Sequence, residues 1–447
     1  TGAMELRRMG LATKIGVVVP NHMLEQFTRE WLQIYPQARI LAANSEQLTR
    51  DKRRLFVARA SSNDWDAVIL TREAFRRLPV EAETATAFLD HEVQTLQAAL
   101  ADATGEDRMT VKQIEKRLAA LEEKQKNLLD QERDPGITFE STGIDYLVVD
   151  EFHDYKNLST TSKTPDANIH GSERATDMAM KLEYLRNTHG ARVVTVATAT
   201  PIANSITEAH VMQRYLRPDL LRKAGVEAFD AWAATFGQQV TDVEMAPQGG
   251  GAFRLKTRFA KFVNVPEMLR MWHVFADVKT AEDLNLPVPA LQLREDGKRL
   301  PQTVALTAGD SVMDYVADLG ERAERIQQRI PREINGKVDN MLWVSSDGRK
   351  AAVDYRLVDQ YADVGAEPIA LHDVAENIAR IYHQNKHNTY RDTRTGEPSP
   401  VPGALQIVFC DLGTPSEKWN AYDELKLVLT QRGVPADGIR FVHEAKN

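Results

Sequence analysis

Five times before residue 200 the chain breaks into a short, largely apolar, β-branched run: 15–19, 38–41, 67–70, 146–149 and 192–196. Such runs are too short for buried helices and lack the apolar/polar alternation of a half-exposed strand, so they read as strands buried on both faces of a parallel sheet. Helical patterns lie between them. Leu24, Phe27, Trp31 and Ile34 keep a three-to-four spacing until Pro36 stops the pattern. Strands alternating with helices predict an α/β layer architecture with a mostly parallel sheet.

Residues from about 80 to 137 break the rhythm, being poor in strand formers and dense in Ala, Glu, Gln, Lys and Leu. Val111, Ile114, Leu118, Leu121 and Leu128 fall close to heptad positions, and Phe88, Leu96 and Leu100 supply a partner helix, with Gly105 in the turn. The expectation is a helical hairpin inserted into the α/β domain, an inert insertion being favoured over an arm for DNA. After a polar loop over 158–172, a helix through Met178, Leu182 and Leu185 precedes the fifth strand. Residues 205–280 read as mainly helical, with a Gly-Gly-Gly turn at 249–251. Beyond them come Pro-rich connections, a helix over 311–329, and a loop or hairpin over 339–350. A last α/β unit is expected from a strand at 405–410, a helix over about 417–432 and a strand at 439–442, with Cys410 as a buried core thiol.

The 447 residues suggest about two to four domains. With 56 Lys+Arg against 64 Asp+Glu the net charge is −8, which argues against a uniformly basic coat and leaves room for a local basic groove. Arg50, Lys52, Arg53 and Arg54 read as a solvated helix face, with DNA contact as the less favoured alternative. One cysteine makes no intramolecular disulfide, and no apolar run approaches the ~18–20 residues that span a bilayer. The expected setting is the cytoplasm, with no membrane partner.

The chemistry-bearing signal is Val148-Val149-Asp150-Glu151-Phe152-His153, a strand that delivers two carboxylates at its C-terminal end. Ligands of open parallel sheets sit at that end. In nucleoside-triphosphate hydrolysis one carboxylate holds Mg²⁺ and the next orients the attacking water. Taken alone, an acidic pair also reads as a cap for the following helix. Further along, the fifth strand runs into Thr198-Ala199-Thr200-Pro201-Ile202-Ala203-Asn204, and the first runs into Pro20-Asn21-His22.

With Asp154-Tyr155-Lys156-Asn157 following the carboxylates, this order resembles the superfamily-two helicases, and in particular the Snf-type DNA translocases. The stretches 18–27, 347–352 and 411–415 are similar to the helicase part of helicase-methylase proteins of bacterial mobile elements. The departures are Phe152 where the family has Ala, expected to put bulk beside the metal site, and Ala199 where it has Gly. The resemblance implies a first RecA-like lobe over 1–230, a helical protrusion and linker region over 231–400, and the start of a second RecA-like lobe over 401–447. It implies Asp150, Glu151 and His153 as catalytic residues, with Asp150 and Glu151 at the metal. Thr198, Thr200, Pro201 and Asn204 become a coupling motif, and Asn21, His22, Lys156 and Asn157 DNA contacts. An ordinary helix cap explains Asn21 as an alternative, and Lys156 and Asn157 face either DNA or the next loop. ATP with Mg²⁺ would be the cofactors and double-stranded DNA the partner, with an adenine-specific DNA methyltransferase region in the same polypeptide. No Asn-Pro-Pro-Tyr or Asp-Pro-Pro-Tyr motif occurs.

A Gly-rich phosphate loop ending in Gly-Lys-Ser/Thr is absent; the Gly-Lys pairs at 297–298 and 336–337 lack its flanking residues. The family places that loop just upstream of the first helix, and its arginine finger beyond residue 447. The expectation is thus a fragment of an ATP-dependent DNA helicase or translocase, hydrolysing little ATP alone. The alternative is a non-catalytic DNA-binding or protein-interaction module on the same scaffold.

Overall fold

The computed structural model describes the chain except for residues 102–107, 131–136, 163–166, 170, 204, 246–252, 287–290, 292, 295, 335, 363–368, 393–394 and 445–447. It divides into two compact units: Thr1–Asp242 with Lys256–Leu284, and Val243–Leu255 with Asn285–Asn447.

The first unit runs α1 (Gly2–Arg8), β1 (Ile15–Val19), α2 (Leu24–Ile34), β2 (Ile40–Ala43), α3 (Arg50–Ser62), β3 (Ala67–Thr71) and α4 (Arg72–Arg76). The helical hairpin follows as α5 (Ala82–Ala101) and α6 (Arg108–Asp130), burying Phe88, Leu96 and Ile114; its turn at Gly105 lies outside the described residues. Then come β4 (Tyr146–Val149), α7 (Glu173–His189), β5 (Val194–Val196), α8 (Thr207–Leu216), α9 (Pro218–Lys223) and α10 (Phe229–Phe236). The five strands form one parallel sheet in the order β2-β3-β1-β4-β5. Every residue of β1 and β3 is buried, as a sheet covered on both faces requires. Alternation survives only as a choice of core: Val18 joins the layer with α3, α7 and α8, while Ile15, Val17 and Val19 join the layer with Trp31. Gly16 belongs in this strand because a Cβ there would meet Leu147 Cδ2 at 2.9 Å.

Strand β2 starts two residues later than expected. Asp66 takes the Arg39 N–H on its carboxylate at 2.7 Å and donates its own N–H to the Arg39 carbonyl at 2.8 Å, so the regular ladder opens at Ile40↔Ala67. The mainly helical expectation over 205–280 is also corrected. Strands β6 (Gly237–Met245) and β7 (Phe253–Phe262) pair as a two-stranded sheet before α11 (Val265–His273) and α12 (Ala281–Leu284). In β7 the alternation Phe253, Leu255, Thr257, Phe259 against Arg254, Lys256, Arg258 is a strand pattern. The glycine turn at 249–251 lies outside the described residues.

The second unit contains α13 (Asp310–Gln327), the short antiparallel pair β8 (Glu333–Ile334) and β9 (Lys337–Val338), α14 (Met341–Val353), α15 (Ala370–Asn385) and α16 (Ala421–Gln431). The stretch 339–350, expected as a loop or hairpin, is mostly α14. Asn340 caps it by accepting the Leu342 and Trp343 N–H groups, each at 3.1 Å, and Gly348 admits Leu319 Cδ1 to 3.4 Å of where a Cβ would stand. The strands expected at 405–410 and 439–442 are not formed: Leu405 is 88% and Phe409 90% exposed. Cys410 is half-buried rather than in a core, its Sγ 3.2 Å from the Leu412 carbonyl. Among the described residues no helix is long and apolar enough to cross a membrane.

Candidate active site

Strand order reverses around β1. The chain leaves β1 towards β2 and β3 on one side and leaves β4 towards β5 on the other, so a topological switch point lies between β1 and β4. A crevice for ligands opens at the carboxyl ends of such a pair. Val18 is level with Val149, so Asn21–His22 and Asp150–Glu151 leave the sheet at this point.

The Asp150 N–H extends the pairing to the Val18 carbonyl at 2.9 Å, and Asp150 Oδ1 accepts the Glu151 N–H at 2.9 Å. Glu151 then adopts φ 50° and ψ 50°, the left-handed region that a non-glycine residue occupies at a cost of about 1–3 kcal/mol. That turn throws the chain into the 3-10 segment Phe152–Tyr155 while the Phe152 N–H still reaches the Ala197 carbonyl on the β5 side at 2.9 Å. Phe152 is fully buried against Tyr155 and Tyr215, with ring centroids at 5.3 and 5.1 Å. The bulk expected beside the metal site instead fills the core beneath the turn.

His153 joins the two motifs. Its Nδ1 lies 3.0 Å from Glu151 Oε2 and 3.2 Å from Thr198 Oγ1. Thr198 Oγ1 in turn accepts the Thr200 N–H at 3.1 Å, so the threonines reach the acidic pair through the imidazole. Asp154 pairs with Arg72 at the end of β3 and lies 3.7 Å from Arg174 of α7, which anchors the turn on two sides. Lys156 is buried, and its ammonium stands 3.1 Å from Glu208 of α8, whose Oε2 also accepts the Ala203 N–H at 2.6 Å. Of its two alternatives, Lys156 takes the one facing the next loop. Asn157 is exposed, and its carbonyl accepts the Ser172 N–H at 2.8 Å. Pro201 is half-buried in the coupling loop, and Asn204 lies outside the described residues.

Asn21 and His22 are exposed. The 3-10 turn they open and the helix after it carry no side-chain cap, so the capping alternative for Asn21 falls. Asp150 offers the hard oxygen chemistry that Mg²⁺ takes from one or two carboxylates, with water and phosphate oxygens completing the shell. Among the described residues no group of three or more His, Cys, Asp and Glu side chains could by itself hold a metal ion.

Sequence reasoning missed Arg72, Arg174 and Glu208. Their signal was weak: a charged residue just after an apolar strand, and a single carboxylate in a helix buried almost throughout. The basic run on α3 is not uniformly solvated. Burial, helped by Arg77 and Arg50, pushes the Arg53 guanidinium below its usual range. These positive charges follow β2 and β3 at the same sheet edge as Asp150.

The chain is 25% identical over 323 residues to the "Defense against restriction protein B" of Escherichia phage P1, a match covering 67% of this chain and 14% of that protein. The chain thus spans only a small part of that relative's length. No solved structure matches the chain. Residues 1–280 match the family described as "Probable helicase domain", more than half of the chain, and the chain belongs to that family.

Proposed function

We propose that this chain is the core of an ATP-dependent, Snf-type translocase that works on duplex DNA in the cytoplasm and is carried by a mobile element. The observation behind the proposal is the link from Glu151 through His153 to Thr198 at the switch point. Asp150 is the residue to hold Mg²⁺, which when bound supplies positive charge against the phosphates of the nucleotide. Glu151 orients and deprotonates the attacking water from its fixed turn. His153 senses the state of that carboxylate and passes it to the 198–203 loop, and Lys156–Glu208 holds that loop to the turn. Asn21 and His22, with the Arg50, Arg53 and Arg77 edge, make sequence-independent contacts to the DNA backbone. The phage relative's name supports a role for the parent protein in defence against restriction, and the resemblance of 18–27, 347–352 and 411–415 to helicase-methylase proteins supports an adenine-specific methyltransferase region in the same polypeptide.

The test is DNA-stimulated ATP hydrolysis by the polypeptide that the gene encodes. Glu151→Gln is expected to lower kcat by about a hundredfold or more with little change in nucleotide binding. His153→Ala is expected to spare basal turnover and abolish its stimulation by DNA. Unchanged turnover in Glu151→Gln overturns the proposal. Salt-sensitive duplex binding with no dependence on nucleotide would instead support a non-catalytic DNA-binding module.

A further inference from the structure

A cavity of about 460 Å³ lies in the first unit between the helical hairpin, the loop at 159–162 and helices α8 and α10. None of the candidate active-site residues lines it. Leu96, Ile114 and Phe229 form apolar walls, each buried. Two guanidiniums reach it, Arg117 from α6 and Arg214 from α8, with one carboxylate, Glu92 of α5, close to both.

The charges are unevenly matched. Arg214 donates to Glu92 Oε1 at 3.0 Å and to the Ser159 carbonyl at 2.7 Å. Arg117 donates to a neutral acceptor, Thr161 Oγ1, at 2.7 Å, and among the described residues it meets no carboxylate at ion-pair distance. Two further carboxylates line the wall: Glu227 lies 3.9 Å from the exposed Arg222, and Asp230 accepts the Ser162 hydroxyl at 2.6 Å. Burial lowers the Arg117 pKa, with Glu92 opposing and Arg214 adding to the effect. A guanidinium remains charged in any protein, so a half-buried one whose hydrogen-bond partner is a neutral hydroxyl, with Glu92 near but not paired to it, can take a further anion, and its planar fork matches a carboxylate or phosphate. The volume falls within the range of small-ligand pockets, about 300–1,000 Å³.

We propose that this cavity binds a small organic anion, a carboxylate or phosphate monoester on a flat apolar body, with its acid group on Arg117 and its body between Ile114 and Phe229. The ligand ties the inserted hairpin to α8, the helix that carries Glu208 to the buried end of Lys156. This site stands whether or not the chain belongs to an ATPase, because it uses no residue of the Asp150–Glu151 crevice.

Isothermal titration of the chain with benzoate and with phenyl phosphate tests it, with benzyl alcohol and benzamidine as neutral and cationic probes of like shape. At least one anion is expected to bind about tenfold or more tighter than benzyl alcohol, with benzamidine weakest. The ratio of benzoate to phenyl phosphate tells which acid the site prefers. Arg117→Gln is expected to weaken anion binding by about tenfold or more. Ala231→Leu, which narrows the cavity and leaves Arg117 in place, is expected to weaken every probe alike. If Arg117→Gln does not fold, as judged by circular dichroism, the Ala231→Leu titration decides. Equal affinity for benzoate and benzyl alcohol, no anion binding, or undiminished binding in the folded variants overturns the proposal.

Discussion

The two units carry similar apolar runs and treat them differently. In the first, Ile15, Val17, Val18 and Val19 are fully buried, because β3 pairs β1 on one side and β4 on the other. In the second, Leu405–Cys410 is also largely apolar, with Ile407 and Val408 β-branched, but no strand of the described residues pairs with it, and Leu405, Ile407 and Phe409 stand exposed. A run of branched residues is therefore an offer of a strand, and only a neighbouring ladder that takes its N–H and C=O groups makes one. The same contrast sets how each unit is held. The first has a large core that continues from one face of the sheet through α7, α8 and α10 and a smaller one on the other face around Trp31, whereas the second has small separate clusters, such as Leu319, Ala323 and Val344 between α13 and α14.

The strongest test of that contrast is truncation in each core. Trp232 is fully buried, packs on His210 and Phe229, and donates its indole N–H to Gln213 Oε1 at 2.7 Å. Trp232→Ala is expected to destabilise the first unit by about 4 kcal/mol. Leu319→Ala, in a cluster that can close around the gap, is expected to cost the second unit about 2 kcal/mol. Denaturant-dependent hydrogen exchange, read at β1 and at α13, measures both. Equal losses would mean that the second unit is packed as tightly as the first.

Where the second unit lacks apolar bulk it uses charge. Arg322 is buried and binds Asp339 through two bonds, at 2.8 and 3.0 Å, and reaches Asp347 at 3.1 Å and the Tyr315 hydroxyl at 3.2 Å. Arg322→Met removes the cation and leaves the Asp339 carboxylate buried without its partner, a loss of about 3 kcal/mol. The double variant Arg322→Met with Asp339→Leu should recover most of it. A double variant as unstable as the single would show that the pair is worth more than the desolvation it overcomes.

The split also explains what the sequence made legible. The parallel sheet was readable because its strands are buried on both faces and so carry a continuous apolar signature. Asp150, Glu151, His153 and Thr198 were readable because they leave the carboxyl ends of such strands. Glu208 was hidden, since a buried carboxylate leaves no periodic mark and is recognised only once Lys156 is seen beside it. Helix α14 was hidden behind Ser345-Ser346-Asp347-Gly348, a string of turn formers that Asn340 capping and α13 packing override. The strand at 405–410 failed for the opposite reason: its local pattern is strong and the partner it needs is missing among the described residues.

Acidification separates the units with the smallest effect per step. His210 of α8 is almost wholly buried, with its ring beside Phe229 and Trp232 at 5.5 and 5.6 Å, and its Nε2 faces the Glu227 carbonyl at 2.9 Å. That carbonyl only accepts, so Nε2 carries a proton, and Nδ1, buried with no hydrogen-bond partner among the described residues, is left without one in the neutral ring. Burial, with Arg214 nearby, lowers its pKa from 6.5 to about 3. Below pH 6.5 the unfolded chain takes up a proton that the folded chain refuses, so stability falls with falling pH by about 1.4 kcal/mol per unit. Asp339, which Arg322 holds below its ordinary 3.8, works in a lower window: its contribution is intact above that value and is lost only as pH falls through the folded pKa. Glu183 in the first unit, raised above 4.5 by burial, acts in the opposite sense to His210 as the carboxylate range is approached. Denaturant-dependent exchange between pH 6.5 and 5.5 should therefore show β1 losing protection while α13 loses none from its buried pair. His210→Gln, whose amide N–H can still reach the Glu227 carbonyl, should flatten the slope in the first unit. An unchanged slope in that variant would mean that the proton is taken up elsewhere and that the ring at 210 is not the neutral group its burial requires.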